Sequence, residues 1–169
     1  MTTTDFTEEE VQTMLDNLDN YSDDEIVEIN RIVDELESRK SNEAAYNDLI
    51  EFAKVMMPEF LVGKHHRILA DELMLIEAGE KDRICVNIPP RHGKSQLVSI
   101  FYPAWFLGRN PGKKVMMVSH TTDLAVDFGR KVRNLISTEP YKAIFPTVSL
   151  AIDSKSAGRW NTNVGGEYY

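Results

Sequence analysis

Gly93-Lys94-Ser95 is where the residue types and their order could handle phosphate. It closes the stretch from Arg83 to Ser95, RICVNIPPRHGKS, in which an apolar run ends in Pro89 and Pro90 and a tight loop follows. A helix pattern starts at once behind Ser95. Glycine lets the backbone come close to an anion and adopt angles a side chain forbids. Amides at the start of a helix have no partner inside it and point outward toward negative charge. Lys94 would then place a cation between the outer phosphates, and Ser95 would offer its hydroxyl to Mg2+. This grammar makes a nucleoside triphosphate with Mg2+ the first ligand to consider. The usual spacing G-x-x-x-x-G-K-[ST] would put its first glycine at position 88, which is Ile88 here. Pro89 and Pro90 therefore shape the first half of the loop by stiffness. The plain alternative is a chance Gly-Lys-Ser in a surface loop.

The elements that must position this loop follow from patterning. Residues 1–40 carry thirteen acidic and three basic side chains, a balance of −10, whereas residues 41–169 carry fourteen and sixteen, a balance of +2. The overall charge of −8 thus averages an acidic extension and a slightly basic body, and the body remains open to polyanions. No apolar run approaches the roughly 20 residues that span a membrane, and the acidic, polar start is neither a secretory signal nor a transit peptide. Cys85 is the single cysteine, expected as a small buried residue of a strand.

In the extension, Thr7 with Glu10 and Ser22 with Glu25 have capping-box spacing. Apolar stripes follow each box: Val11, Met14, Leu15 and Leu18, then Ile26, Ile29, Val33 and Leu36. Two helices joined near Asn20-Tyr21 are predicted. Their acidic faces read either as solvated surface or as a docking hairpin. A third helix is predicted from Asn42 to Met56, stopped by Pro58, and a fourth from His65 to Ala78, stopped at Gly79.

The body then alternates. Strand 83–88 leads into the loop, a helix covers Lys94 to Leu107, and Val115–Ser119 is an apolar strand expected to be buried on both faces. A helix from Asp123 to Ser137 follows. Pro140 and Pro146 bracket an irregular stretch. Val148–Ile152 and Arg159–Asn163 read as strands, Val164-Gly165-Gly166 as a hairpin turn, and Glu167 opens the returning strand. The expected fold class is α/β: a parallel, P-loop NTPase-type sheet, incomplete, over residues 41–169, preceded by the acidic helical extension 1–40.

Several blocks together resemble the N-terminal ATPase part of the large terminase subunit of tailed bacteriophages. They are Pro58-Glu59-Phe60, Gly63 to Ile68, Pro89 to Ser95, Tyr102-Pro103-Ala104-Trp105, Ser119-His120-Thr121 and Gly158 to Thr162, across positions 50–169. A phosphate loop without its first glycine is typical of that family. The resemblance implies an ATP- and Mg2+-dependent motor that pumps DNA into a capsid in the cytoplasm of an infected bacterial host. Its implied partners are double-stranded DNA, the small terminase subunit, the portal protein and further copies of itself, with no membrane. It also implies a C-terminal nuclease domain, which this sequence does not contain. The loop Pro90, Arg91, His92, Gly93, Lys94, Ser95 and Gln96 would take the nucleotide, with Lys94 and Arg91 as catalytic cations and Ser95 on Mg2+. His66 and Arg67 fall where the family contacts adenine or supports the loop.

Other readings stand beside these. Arg91 could be an ordinary loop cation, His92 a structural hydrogen-bonder, and His65 and His66 either caps or nucleotide contacts. Thr121 or Thr122 could simply cap a helix. Trp105 and Trp160 read better as core than as nucleic-acid contacts. A P-loop ATPase also needs an apolar strand ending in Asp, usually followed by Glu. Ile152-Asp153 is the sole remote candidate and is set aside, because Ser154 follows it and Ser149 interrupts the run. The chain therefore reads as an N-terminal fragment, weakly active or inactive alone and of marginal stability. Two rival functions remain: an interaction module with a vestigial nucleotide site, or a helicase-like P-loop ATPase.

Overall fold

The computed structural model describes residues 6–152 and 156–169, and Asp153 lies outside them. By internal contacts the chain divides into two units, Met1–Ser41 and Asn42–Tyr169.

In the first unit, α1 (Glu8–Asp16) starts at Thr7, whose hydroxyl accepts from Glu10 N–H while Glu10 Oε2 accepts from Thr7 N–H at 2.7 Å. α2 (Asp23–Asn47) starts behind Ser22 in the same way: Glu25 Oε2 accepts from Ser22 N–H at 2.8 Å and from its hydroxyl at 2.7 Å. These bonds to the backbone, then to the hydroxyls, hold both glutamates below the ordinary carboxylate range. A 3-10 turn, Leu18–Asn20, joins the helices. Among the described residues, Val11, Ile29 and Ile32 are the buried apolar side chains of this unit.

The break expected before Asn42 is absent, and α2 runs on to Asn47. The break comes at Asp48, which caps α3 (Leu49–Met56) by accepting from the amides of Ile50 at 2.8 Å and Glu51 at 3.0 Å. A carboxylate at this position satisfies two orphan amides at once. α4 (Lys64–Glu77) ends before Gly79, whose φ of +77° lets the chain turn away.

Behind the loop, Lys94–Arg109 is helical but uneven: α5 (Lys94–Gln96), a π turn (Leu97–Phe101) and α6 (Tyr102–Arg109). Pro103 has no N–H to give the carbonyl one turn upstream, and the wider turn falls directly N-terminal to it. α7 (Thr122–Ile136) and α8 (Glu139–Ile144) complete the helices. α8 occupies the stretch expected to be irregular between Pro140 and Pro146. Pro140 sits in its first turn, where a missing N–H costs nothing, and Thr138 caps it.

The core lies between α3, the π turn, α6, α7 and α8. Phe52 packs edge-on to Phe101 and Tyr141, with centroids 6.4 and 6.1 Å apart. Tyr141 OH donates to Ala104 O at 2.9 Å, and burial pushes that hydroxyl above its ordinary range. Tyr168 OH is also buried but has no partner among the described residues, and burial pushes it up to about 12. The two tyrosines should respond oppositely to loss of the hydroxyl. Tyr141→Phe gives up a buried hydrogen bond and should cost about 1 kcal/mol, whereas Tyr168→Phe should be neutral or stabilising. Urea midpoints of the two variants check this, and the reverse order would refute it.

The sheet corrects the expected architecture. β1 (Lys114–Val115), β2 (Trp160–Asn161) and β3 (Glu167–Tyr168) form a small mixed sheet in the order β1-β3-β2, within a mostly helical chain. β1 and β3 are parallel, with Lys114 opposite Glu167. β2 and β3 are antiparallel, with Trp160 opposite Tyr168. Trp160 stacks on Tyr168 at 5.0 Å and donates to Gly129 O at 3.1 Å, which makes it a core residue. Lys114 and Arg159 both reach Glu167, and their bonds hold its carboxyl below the ordinary range.

Three predicted strands shrink. Residues 83–88 are extended but join no sheet, and among the described residues their backbone groups find no backbone partner. Ile84, Val86 and Ile88 pack against the core while Cys85 and Asn87 face outward, so Cys85 is exposed and not buried. In Val115–Ser119 only the first residue lies in β1. Met116 and Val118 are 62% and 76% exposed, so this run buries one face and not two. Val148–Ile152 contributes a single bridge, Leu150 to Thr162. An apolar run supplies one packed face by itself, but a strand needs a backbone partner as well.

Candidate phosphate-binding site

The loop from Pro89 to Gln96 surrounds a cleft of about 160 Å³, lined by Pro89, Pro90, Arg91, Gly93, Lys94, Ser95 and Gln96. Two residues take left-handed angles: Arg91 at φ 67° and Gly93 at φ 71°. A left-handed residue followed by a right-handed one turns successive amides toward one side, and Gly93 before helical Lys94 is such a step, the start of a concave anion cradle. Leu97 N–H to Gly93 O, at 3.0 Å, opens the helical ladder. The amides of Lys94, Ser95 and Gln96 lie upstream of it, where a helix has donors to spare. Among the described residues neither Arg91 nor Lys94 is paired with a carboxylate, and Ser95 is exposed. Uncommitted cations beside unclaimed amides suit a polyanion.

α4 holds the loop from behind. Gly63 N–H donates to His66 Nδ1 at 3.0 Å, so the ring proton sits on Nε2, which donates to His92 O at 2.9 Å. His65 Nε2 is 3.2 Å from the same oxygen. His66 is buried and reaches the loop backbone, which is the supporting role open to it in the sequence. His92 turns its own ring inward to the loop, with Nδ1 2.9 Å from Pro90 O. Gly93 packs so closely that a Cβ there would stand 2.4 Å from His66 Nε2.

Arg67 goes elsewhere. Its guanidinium pairs with Asp48 at 2.5 Å and with Glu51 at 3.5 Å, and it does not line the loop cleft. Thr121 caps α7 by accepting from Leu124 N–H, and His120 is exposed beside it. Trp105 is fully buried. Sequence reasoning missed the left-handed Arg91 and the reach of Asp48. The buttress was partly visible, since Gly63 and His66 have the N-cap-to-N3 spacing at which a side chain bonds back to a helix start.

A second, larger hollow of about 410 Å³ lies beside the loop, between α4 and the extended run, lined by His65, Ile68, Leu69, Glu72 and residues 84–88. Among the described residues no group of three or more His, Cys, Asp or Glu is placed to hold a metal, and no helix is long and apolar enough to cross a membrane. No protein-family model, curated protein or solved structure matches the chain.

Proposed function

We propose that the loop Pro90–Gln96 binds the phosphates of a nucleoside triphosphate, ATP by the resemblance to large terminase subunits, and that the chain is the nucleotide-binding part of a viral DNA-packaging motor. The observation that carries the reading is the cradle: left-handed Arg91 and Gly93, then a helix start, with Lys94 and Arg91 free of carboxylates among the described residues. Lys94 binds the outer phosphates as a point charge, and Arg91, which lines the same cleft, adds a second cation for the anion. Ser95 Oγ is the group that would hold Mg2+, which supplies charge neutralisation between the phosphates when bound. His66 fixes the height of the loop through His92 O and so sets where the amides point. Double-stranded DNA, the small terminase subunit, the portal protein and further copies of the chain belong to this proposal through the resemblance alone.

Calorimetric titration with Mg-ATP tests it. Saturable binding is expected, and Lys94→Ala should weaken it by about 10- to 100-fold, the worth of a charge-assisted bond of about 1.5–3 kcal/mol. Equal binding by Lys94→Ala would overturn the assignment.

A further inference from the structure

The acidic hairpin carries an open apolar groove. Val11 and Leu15 of α1 and Val33 and Leu36 of α2 line it, with a volume of about 390 Å³, and Glu9 and Glu37 stand on its rim. Two helices bury only the sides they turn to each other, and here Leu15, Val33 and Leu36 stay half-exposed. These apolar residues come from facing turns of neighbouring helices, which is the lining a third helix needs to seat its own apolar stripe.

Charge selects the occupant. Residues 1–40 carry a balance of −10. Local bonds engage part of it: Glu28 and Glu35 share Arg31, and Glu10 and Glu25 serve the caps. Glu9 and Glu37 remain on the rim, and Lys40, itself engaged, closes one end. A second copy of this hairpin would bring another balance of −10 and be repelled. A nucleic acid or an anionic membrane would be repelled. We infer that the groove between α1 and α2 docks a cationic amphipathic helix of another protein, with apolar residues at i, i+3 or i+4, and i+7 in the groove and Lys or Arg against the acidic rim. This goes beyond the nucleotide reading and does not rest on it.

The test uses the full chain and a labelled synthetic helix of about 20 residues, long enough to cross the hairpin, with Leu at helical spacing and Lys elsewhere. One control scrambles the Leu positions at constant charge, and another replaces every Lys with Glu. Fluorescence anisotropy should show saturable binding of the first peptide, weakened about tenfold between roughly 0.05 and 0.3 M salt. The scrambled and acidic peptides should bind at least about tenfold more weakly. Leu36→Ser should reduce binding by a similar factor, with helix content by circular dichroism unchanged. Should that variant lose helix, the rim variant Glu9→Lys/Glu37→Lys, which touches no buried side chain, must still lose affinity. Equal binding of the scrambled peptide would reduce the face to a general polycation attractor and overturn the inference. So would undiminished binding by the rim variant, or a dimer of the chain that Leu36→Ser dissolves.

Discussion

Gly93→Ala is expected to abolish measurable Mg-ATP binding and to destabilise the unit around the loop by about 1–3 kcal/mol. Two separate costs meet at this position. At φ 71° an alanine sits in the left-handed region, which disfavours a side chain by about 1–2 kcal/mol. Its Cβ would also stand 2.4 Å from His66 Nε2. That ring cannot step aside cheaply, because Gly63 N–H holds one nitrogen and His92 O takes the proton of the other. Either the ring moves and releases the start of α4 and the loop carbonyl, or the loop moves and the amides before Leu97 lose their common direction. His66→Ala in the same chain should restore part of the stability, since it removes the collision and leaves the backbone cost. Calorimetry with Mg-ATP and urea denaturation measure the two effects separately. Wild-type affinity in Gly93→Ala would mean that the cradle geometry is not what binds.

Trp105→Ala should be the most damaging change in the core, at about 3–5 kcal/mol. The ring is fully buried, and its N–H lies 3.1 Å from both Ala45 O and Tyr46 O. Those carbonyls belong to the last turn of α2, where a helix has acceptors without partners. The indole therefore closes a helix end as well as filling the core. It also lies under the Arg109 guanidinium, 5.0 Å from the ring centre, and Arg109 reaches Tyr46 O and Glu77. Deleting the ring removes packing, a cap and the platform for this cation together. For a domain whose whole stability is about 5–15 kcal/mol, the loss is a large share of it. Trp105→Phe keeps an aromatic ring and most of its packing but gives up the N–H, so its cost should fall to about 1–2 kcal/mol. Thermal unfolding of both variants checks the ordering; a Phe variant as weak as the Ala variant would show that the bond, not the packing, dominates.

Residues near one another in sequence specified much of the local structure. Thr7 with Glu10, Ser22 with Glu25 and Thr121 at α7 were readable as helix starts, because a cap is completed within three residues. The inward placement of Trp105 was equally accessible from its apolar neighbours, and that of Trp160 from the bulk of its ring on an expected strand. The order Pro, Pro, Arg, His, Gly, Lys, Ser named a candidate phosphate loop, since its residue types carry the required donors, cation and freedom of φ.

Distance in sequence marks where that reading stopped. Ile84, Val86 and Ile88 had the composition of a strand, yet a ladder needs a second backbone at about 4.8 Å, and the run has none among the described residues. Met116 and Val118 looked doubly buried, but burial of the second face depends on what packs there. The resemblance puts Arg67 where the family contacts adenine or supports the loop, whereas Asp48, nineteen residues upstream, holds its guanidinium. His66 acquired its role only when folding set its ring against His92, twenty-six residues on. By itself the sequence determined which residues could cap, turn or meet a phosphate, because those properties are local to a few bonds. The tertiary structure alone decided which strands found partners, which cations were already spent and which ring holds the loop, because each of those depends on groups that only folding brings together.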